Sequence, residues 1–480
     1  MNKQVRTRFA PSPTGYLHIG GLRTALYAYL YAKKYGGKFI LRIEDTDLER
    51  FVPGACELIY SSLKDAGITY DEGPDIGGEL APYIQSERKD IYFKYAKKLI
   101  ESGGAYYCFC DKERLESLTD ATGQRKYDKH CLNLSKEEID KNLKSNKPFV
   151  IRQNIPLSGK TSYNDLVFGE IIVDCKDLED NVLIKSDLMP TYNFANVVDD
   201  HLMGITHVIR GEEYLSSTPK YNLLYDSFKW EHPVYIHLPP VMRDSQHKLS
   251  KRHGDPSYND LINEGFLKEA LVNYIALLGW SPKTDKEKMT MEELKELFSV
   301  EGLSRSSAIF DKQKLKWLNG EYIKEMASEA FNVYAMPWYE KSKIAGKYDY
   351  IKISKLLTSR IELFSEIPEK VNFLEEFKNY DINLFEREKL KITKELAKEI
   401  LPKLKITIKK ISEYSETSIH DALKSFTENS GYKSGQVFWA LRIAITGKES
   451  TPGGAVEMAD ILGEERVLKR LDLSIKLLNK

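Results

Sequence analysis

Two segments far apart in the chain carry residue types suited to holding phosphate. The first, Arg8-Phe9-Ala10-Pro11-Ser12-Pro13-Thr14-Gly15-Tyr16-Leu17-His18-Ile19-Gly20-Gly21, leads from an extended stretch through a proline-rich turn toward a helix. Gly15 and the Gly20-Gly21 pair permit tight turning and close backbone approach, and a helix starting near Gly20 directs its first N–H groups at an anion. His18 adds a side-chain donor. Met alone, a histidine beside glycines reads more readily as a helix cap. Strand, turn, histidine and helix in that order favour the phosphate reading. The second segment, Lys248-Leu249-Ser250-Lys251-Arg252, is a compact basic loop between Asp244-Ser245-Gln246-His247 and His253-Gly254-Asp255. By itself a basic run is usually a solvated face. Paired with the first motif, it supplies cations for a polyphosphate.

A different chemistry gathers at Cys108, Cys110 and Cys131. Five cysteines in 480 residues are too few for a disulfide framework, and three so close in sequence suggest a metal. On a strand, Cys108 and Cys110 would face the same way, and Cys131 would complete three thiolates for zinc. The competing reading is three reduced, partly buried thiols.

Both groups need a frame. Val5 to Ala10 has the length and following turn residues of a buried strand. Leu22, Ala25, Leu26, Tyr29 and Leu30 recur at helical spacing, Gly36-Gly37 stops that helix, and Phe39 to Ile43 reads as a second strand. This is a βαβ unit with parallel strands. The pattern resumes beyond residue 185, with a strand over Thr206 to Arg210 and a helix start at Ser217-Thr218-Pro219. The nucleotide fold is therefore split. Between its halves, strands over Phe149–Arg152 and Phe168–Val173 follow a Lys/Glu-rich helical stretch, which predicts one α+β insertion. Helical spacing runs from Leu261 to Leu278 and dominates the rest of the chain.

At 480 residues the chain exceeds what one hydrophobic core supports, and 42% hydrophobic residues suffice for several. Lys plus Arg equals Asp plus Glu at 71 each, so overall charge argues for no nucleic acid; such a partner must be held by local basic surfaces. The N-terminus carries no apolar signal core, and no stretch approaches the roughly 18 apolar residues of a membrane span. A soluble, cytoplasmic protein with no membrane partner is expected.

Three motifs make the reading specific. Arg8-x-Ala10-Pro11-Ser12-Pro13-Thr14-Gly15, Arg42-Ile43-Glu44-Asp45-Thr46-Asp47 and Pro190-Thr191-Tyr192-x-x-x-Asn196-Val197-Val198-Asp199-Asp200-His201 resemble glutamyl-tRNA synthetases of the bacterial type, within class I. The resemblance extends over most of the first 330 residues. It implies a Rossmann-like parallel sheet over 1–86 and 186–240, split by an acceptor-end-binding insertion at 87–185. A stem-contact domain over 241–325 with the basic loop follows, then a helical anticodon-binding region over 326–480 in two subdomains.

The implied reaction joins L-glutamate to tRNA(Glu) through a glutamyl-adenylate, releasing pyrophosphate and AMP, with Mg2+ accompanying ATP. Charge accumulates on the departing pyrophosphate, where fixed cations lower the barrier. His18, Lys248 and Lys251 take this role, with Gly15, Gly20 and Gly21 completing the ATP site. The family's four-residue signature normally ends in a second histidine; here Gly21 stands there, as in many glutamyl-specific members. Arg8, Tyr192 and Arg210 are implied to hold the side-chain carboxylate, Glu44 and Ser12 the ammonium, and Asn196 a further edge of the pocket. The alternative for an Arg and an acid at strand ends is a surface ion pair of little value.

Some relatives bind zinc through Cys-x-Cys followed by Tyr-x-x-x-Cys, which Tyr127 to Cys131 matches, making Tyr127 the first choice of fourth ligand and His130 the alternative. Lys403, Lys405, Lys409 and Lys410 form a basic cluster suited to phosphates, although each singly reads as solvated surface. Arg360 and Arg442 lie in segments resembling those with which relatives read the anticodon. The implied assembly is a monomer with tRNA(Glu), ATP and L-glutamate as partners. Alternatives are a form that also charges tRNA(Gln), a catalytically silent tRNA-binding paralogue, and a small-molecule nucleotidyltransferase.

Overall fold

A computed structural model describes residues 3–15, 17–47, 52–118, 126–249 and 254–480. Lys251, with Ser250 and Arg252, lies outside the described residues. The chain divides into two compact units, one of residues 1–263 and 268–312, the other of 264–267 and 313–480.

In the first unit, β1 (Arg6–Phe9), α1 (Ile19–Lys34) and β2 (Lys38–Leu41) form the expected crossover, with β1 and β2 parallel from Arg6 against Lys38 to Phe9 against Leu41. The helix turns back where Gly37 passes so close to Val5 that a Cβ there would stand 2.2 Å from the Val5 carbonyl oxygen. Leu22, Ala25, Leu26, Tyr29 and Leu30 are all buried, as their helical spacing requires.

The inserted segment contains β3 (Ala105–Cys108), β4 (Val150–Gln153), β5 (Lys160–Asp165), β6 (Gly169–Asp174) and β7 (Val182–Ile184). The Lys/Glu-rich stretch forms the helix Lys136–Lys144, capped reciprocally by Ser135 and Glu138. After the helix Tyr192–Leu202 come β8 (His207–Gly211), the helix Thr218–Phe228 with a proline in its first turn, and β9 (Val234–Leu238). β3, β4 and β7 make one small sheet; β6, β5, β9 and β8 make another, in that order. β8 and β9 are parallel in full register, and β5 joins β9 in parallel through Asp165 against Tyr235. β1 approaches β8 where the Thr206 N–H donates to the Arg6 carbonyl at 3.0 Å.

The periodicity from Leu261 to Leu278 does not yield one helix. Two helices, Tyr258–Asn263 and Lys268–Ala276, are separated where Gly265 takes φ +97°, a left-handed conformation that glycine alone adopts without strain.

The second unit is helical, with no strand among its described residues. The helices Lys394–Ile408 and Glu464–Leu478 bury Ile400, Leu401, Leu404 and Ile408 with Val467 and Leu471. Arg470 reinforces this core by donating to the Ile445 carbonyl at 2.7 Å.

Candidate functional site

The glycine-rich turn has a defined geometry. Gly15 takes φ +119°, and His18 is the N-cap of α1, its Nδ1 accepting the Gly21 N–H at 2.9 Å. A ring nitrogen that accepts leaves the proton of neutral imidazole on Nε2, so His18 is both the helix cap and a donor at the helix mouth. The cap explains the two glycines: a Cβ on Gly20 would stand 3.2 Å from His18 Nδ1, and one on Gly21 would stand 3.1 Å from Leu17 Cδ1.

The basic segment starts as the return arm of a tight turn. Leu249 N–H donates to Val241 O at 3.0 Å, and Arg243 N–H to His247 O at 2.8 Å. Inside the turn Asp244 accepts the N–H groups of Gln246 and His247, which with the His247 ring hold its carboxyl well below the usual carboxylate range. Ser257, just past the loop, pairs its backbone with that of His18.

These elements meet at a cleft of about 540 Å³ whose lining includes Arg8, Ser12, Gly15, His18, Gly20, Gly21, Tyr192, Arg210 and Lys248. Glu44 and Asn196 are not in that lining: Glu44 sits behind it, and Asn196 donates to the Tyr192 carbonyl at 2.7 Å. Both arginines are held from behind. Arg8 donates through Nε to Asp200 and through Nη1 to the Ile209 carbonyl, while Arg210 donates through Nε to His237 and through Nη2 to Thr218. Among the described residues, no hydrogen bond engages Arg8 Nη2 or Arg210 Nη1, and Arg210 pairs with no carboxylate. Burial works to lower the Arg210 pKa, but the surrounding tyrosines, Tyr192 foremost, keep it above its ordinary value.

Under the cleft lies a charge network that no local pattern in the sequence assigned. Arg42, with no exposed side-chain surface, reaches Asp200 at 2.8 Å, Glu44 at 3.1 Å and Asp199 at 3.7 Å. Arg88 Nε donates to Asp199 at 2.7 Å, and Gln85 and Tyr92 donate to its other oxygen. Three guanidinium groups, those of Arg8, Arg42 and Arg88, thus balance the carboxylates of Glu44, Asp199 and Asp200. Such balance is what makes buried charge tolerable. Burial pushes the Glu44 carboxyl up to about 7 against the pull of Arg42 and Arg8, whereas those same two arginines outweigh burial at Asp200 and lower it.

The thiols converge although β3 ends at Cys108. Cys110 lies beyond the strand, Phe109 N–H donates to Cys131 Sγ, and the three sulfurs fall within 4.8 Å of one another. Tetrahedral zinc with bonds of about 2.3 Å sets sulfurs about 3.8 Å apart; Cys110 and Cys131 stand at 3.5 Å. The cluster can therefore hold a metal such as zinc. The Tyr127 hydroxyl lies 3.3 Å from Cys108 Sγ and 3.5 Å from Cys110 Sγ, whereas His130 is exposed. Hydrogen bonding with Cys131, Tyr127 and Arg152 brings the Cys108 thiol down to about 4, while the bond to Cys108 and burial raise Cys131.

In the helical unit, Arg442 lines a cavity of about 540 Å³ with His420, Phe438, Trp439, Glu416 and Glu457. Arg360 is exposed and does not line it. Lys403 donates to Tyr432 and Lys405 to Asp472, so that cluster is partly engaged.

Residues 4–317 match the family of class I tRNA synthetases (E and Q), catalytic domain, and residues 321–475 match the anticodon binding domain family. The chain is 55% identical over 477 residues to a glutamate–tRNA ligase of Clostridium kluyveri, covering 98% of each chain. It is 53% identical over 481 residues to that of Clostridium novyi, covering 100% of this chain and 99% of the relative. The crystal structure of a glutamate tRNA ligase from Elizabethkingia meningosepticum in complex with its amino acid aligns with TM-score 0.90 and 34% identity, covering 99% of both chains.

Proposed function

Because the chain belongs to the glutamate–tRNA ligase family of class I synthetases and charges tRNA(Glu) with glutamate, we propose that Arg8, Tyr192 and Arg210 read the substrate's side-chain carboxylate while the His18 end of the cleft takes ATP. One observation carries this reading: Arg210 is buried, is held at two nitrogens by neutral partners, and among the described residues meets no carboxylate. A buried guanidinium that stays charged with no contacting carboxylate offers its free N–H groups to a substrate carboxylate more strongly than to a neutral amide. Glutamine is thereby rejected at the same fork.

Ser12 takes the ammonium end from the lining and Glu44 from behind it, with Asn196 fixing the first turn of the helix that carries Tyr192. The α-carboxylate of glutamate attacks the α-phosphorus of ATP, forming glutamyl-adenylate and expelling pyrophosphate. His18 Nε2 and the N-terminus of α1 donate to the phosphates, and Gly15, Gly20 and Gly21 let the backbone approach. Lys248 and Lys251 offset charge on the leaving pyrophosphate. Magnesium arrives on the ATP phosphates and reduces their charge. A ribose hydroxyl at the tRNA end then attacks the activated carbonyl and AMP leaves.

Residues 87–185 guide the acceptor end, 241–325 contact the stem, and 326–480 bind the anticodon through Arg360 and Arg442. Cys108, Cys110, Cys131 and Tyr127 bind structural zinc, for which Tyr127's position against two sulfurs is the support. The enzyme acts as a monomer in the cytoplasm; no described helix is long and apolar enough to cross a membrane.

The test is Arg210→Ala in glutamate-dependent pyrophosphate exchange, followed by charging of separately transcribed tRNA(Glu) and tRNA(Gln). Loss of a partner for buried charge predicts a fall of about 100-fold or more. Normal exchange by this variant would overturn the assignment.

A further inference from the structure

Arg210 is held from behind by two residues that the proposed reaction does not use. Its Nε–H donates to Nε2 of His237 at 3.1 Å, and His237 Nδ1 meets Asp165 Oδ2 at 2.6 Å. Both the histidine, on β9, and the aspartate, at the end of β5, have no exposed side-chain surface. Asp165 is fixed in turn. Its Oδ2 also accepts the His237 backbone N–H at 3.0 Å, and its Oδ1 accepts the N–H groups of Val167 and Phe168, each at 2.9 Å.

This arrangement dictates the state of the imidazole. A carboxylate only accepts, so Nδ1 bears the proton, and Nε2 presents its lone pair to the guanidinium. Thr218 Oγ1, 3.3 Å from Nε2, spends its own proton on the Tyr214 carbonyl at 2.7 Å and does not compete. The opposite tautomer would set N–H against N–H. Tyr214, Tyr221 and Tyr235 surround the guanidinium with ring centroids 5.0 to 5.5 Å away, which attracts the charge without fixing its rotation.

We propose that Asp165 and His237 form a positioning relay that orients Arg210 for a carboxylate-bearing substrate. The relay rests on the reading of Arg210 given above. Its logic is electrostatic. A carboxylate placed directly on Arg210 would orient the guanidinium but occupy its fork and weaken its hold on the substrate. A neutral imidazole between them transmits direction from Asp165 while leaving the guanidinium without a contacting anion. Neither residue lines the cleft, so neither is catalytic.

Two replacements of the histidine separate the relay from simple packing. In His237→Gln the amide oxygen can reach the place of Nε2 and accept from Arg210. In His237→Asn the side chain can still donate to Asp165 but ends short of the guanidinium. With the full-length protein in pyrophosphate exchange, loss of a hydrogen bond to a charged group raises the glutamate KM of His237→Asn about tenfold. Its ATP KM stays unchanged, and His237→Gln restores the glutamate KM. Adding His237→Asn to Arg210→Ala produces no further loss, because the two act as one unit.

Asp165→Asn supplies an independent reading should a histidine variant fail to fold. Its amide can donate to Nδ1, which moves the imidazole proton to Nε2 and gives the same selective rise in glutamate KM. Equal effects of Gln and Asn at 237, or glutamate and ATP KM rising together, overturn the relay. Were Arg210→Ala itself to leave the glutamate KM normal, the underlying reading of Arg210 would fall instead. If Arg210→Ala loses glutamate binding and neither His237→Asn nor Asp165→Asn does, only the relay falls.

Discussion

Arg42 Nη1 donates to Asp200 Oδ1 at 2.8 Å, and the same carboxylate receives Arg8 Nε at 3.1 Å. Arg8 lines the cleft, whereas Arg42 has no exposed side-chain surface. One aspartate therefore ties the orientation of a cleft residue to the charge balance of the core.

Removing that aspartate leaves two buried guanidinium groups short of an anion. Asp200→Ala is expected to cost about 3–5 kcal/mol of stability, the range for breaking a buried ion pair from one side. Calorimetry should show the unfolding transition of the first unit moving down. An unchanged transition would mean that the network contributes nothing to folding.

Glu44 gives the enzyme a pH dependence of known sign. Its folded carboxyl is raised to about 7, above the ordinary 4.5, so the folded state binds this proton more tightly than the unfolded state. Stability contributed by the protonated group is present below about pH 4.5 and is lost as pH rises toward 7. Glu44→Gln removes this slope. The measurement is urea unfolding of both forms at several pH values across that window, and parallel curves would refute the shift.

The thiol cluster predicts near-stoichiometric zinc in protein purified without chelator, read by elemental analysis. Cys131→Ser should lose the metal, and Tyr127→Phe should weaken its retention under mild chelation, whereas His130→Ala should leave it unchanged. Zinc binding displaces the protons of Cys131 and Tyr127, so retention should also weaken as pH falls. Retention in Tyr127→Phe equal to wild type, with loss in His130→Ala, would exchange the two roles.

Local patterns carried much of the site. The strand, glycine turn and helix around His18 are adjacent in sequence, and in the fold Gly15, His18, Gly20 and Gly21 line the cleft. The pairing of Arg42 with Glu44 was within reach, since they stand two residues apart at the end of β2. Gln85, Arg88 and Tyr92 carried no comparable signal, because their partner Asp199 lies more than a hundred residues away and only the folded chain brings them together. Asp165 and His237 were equally silent, since neither falls in a segment that local patterning marks as a strand, and β5 and β9 emerge only in the fold. The helical spacing from Leu261 to Leu278 is met by two helices and not one, because apolar spacing records a face and does not register the left-handed backbone at Gly265. Cys110 reached its partners from beyond the strand, where alternation no longer applies.

The short parallel bridge from Asp165 to Tyr235 bears on how such a chain can be recombined. In sequence, 87–185 looks like a removable cassette between two halves of a nucleotide fold. In the fold, β5 and β6 supply two of the four strands in the sheet that also contains β8 and β9. A graft cut at those sequence limits would carry off half of that sheet and leave an unpaired edge on β9. The natural seam for exchange runs between the β3–β4–β7 sheet and the β5–β6 hairpin, so a chimaera of two relatives should keep the hairpin with the recipient's own β8 and β9.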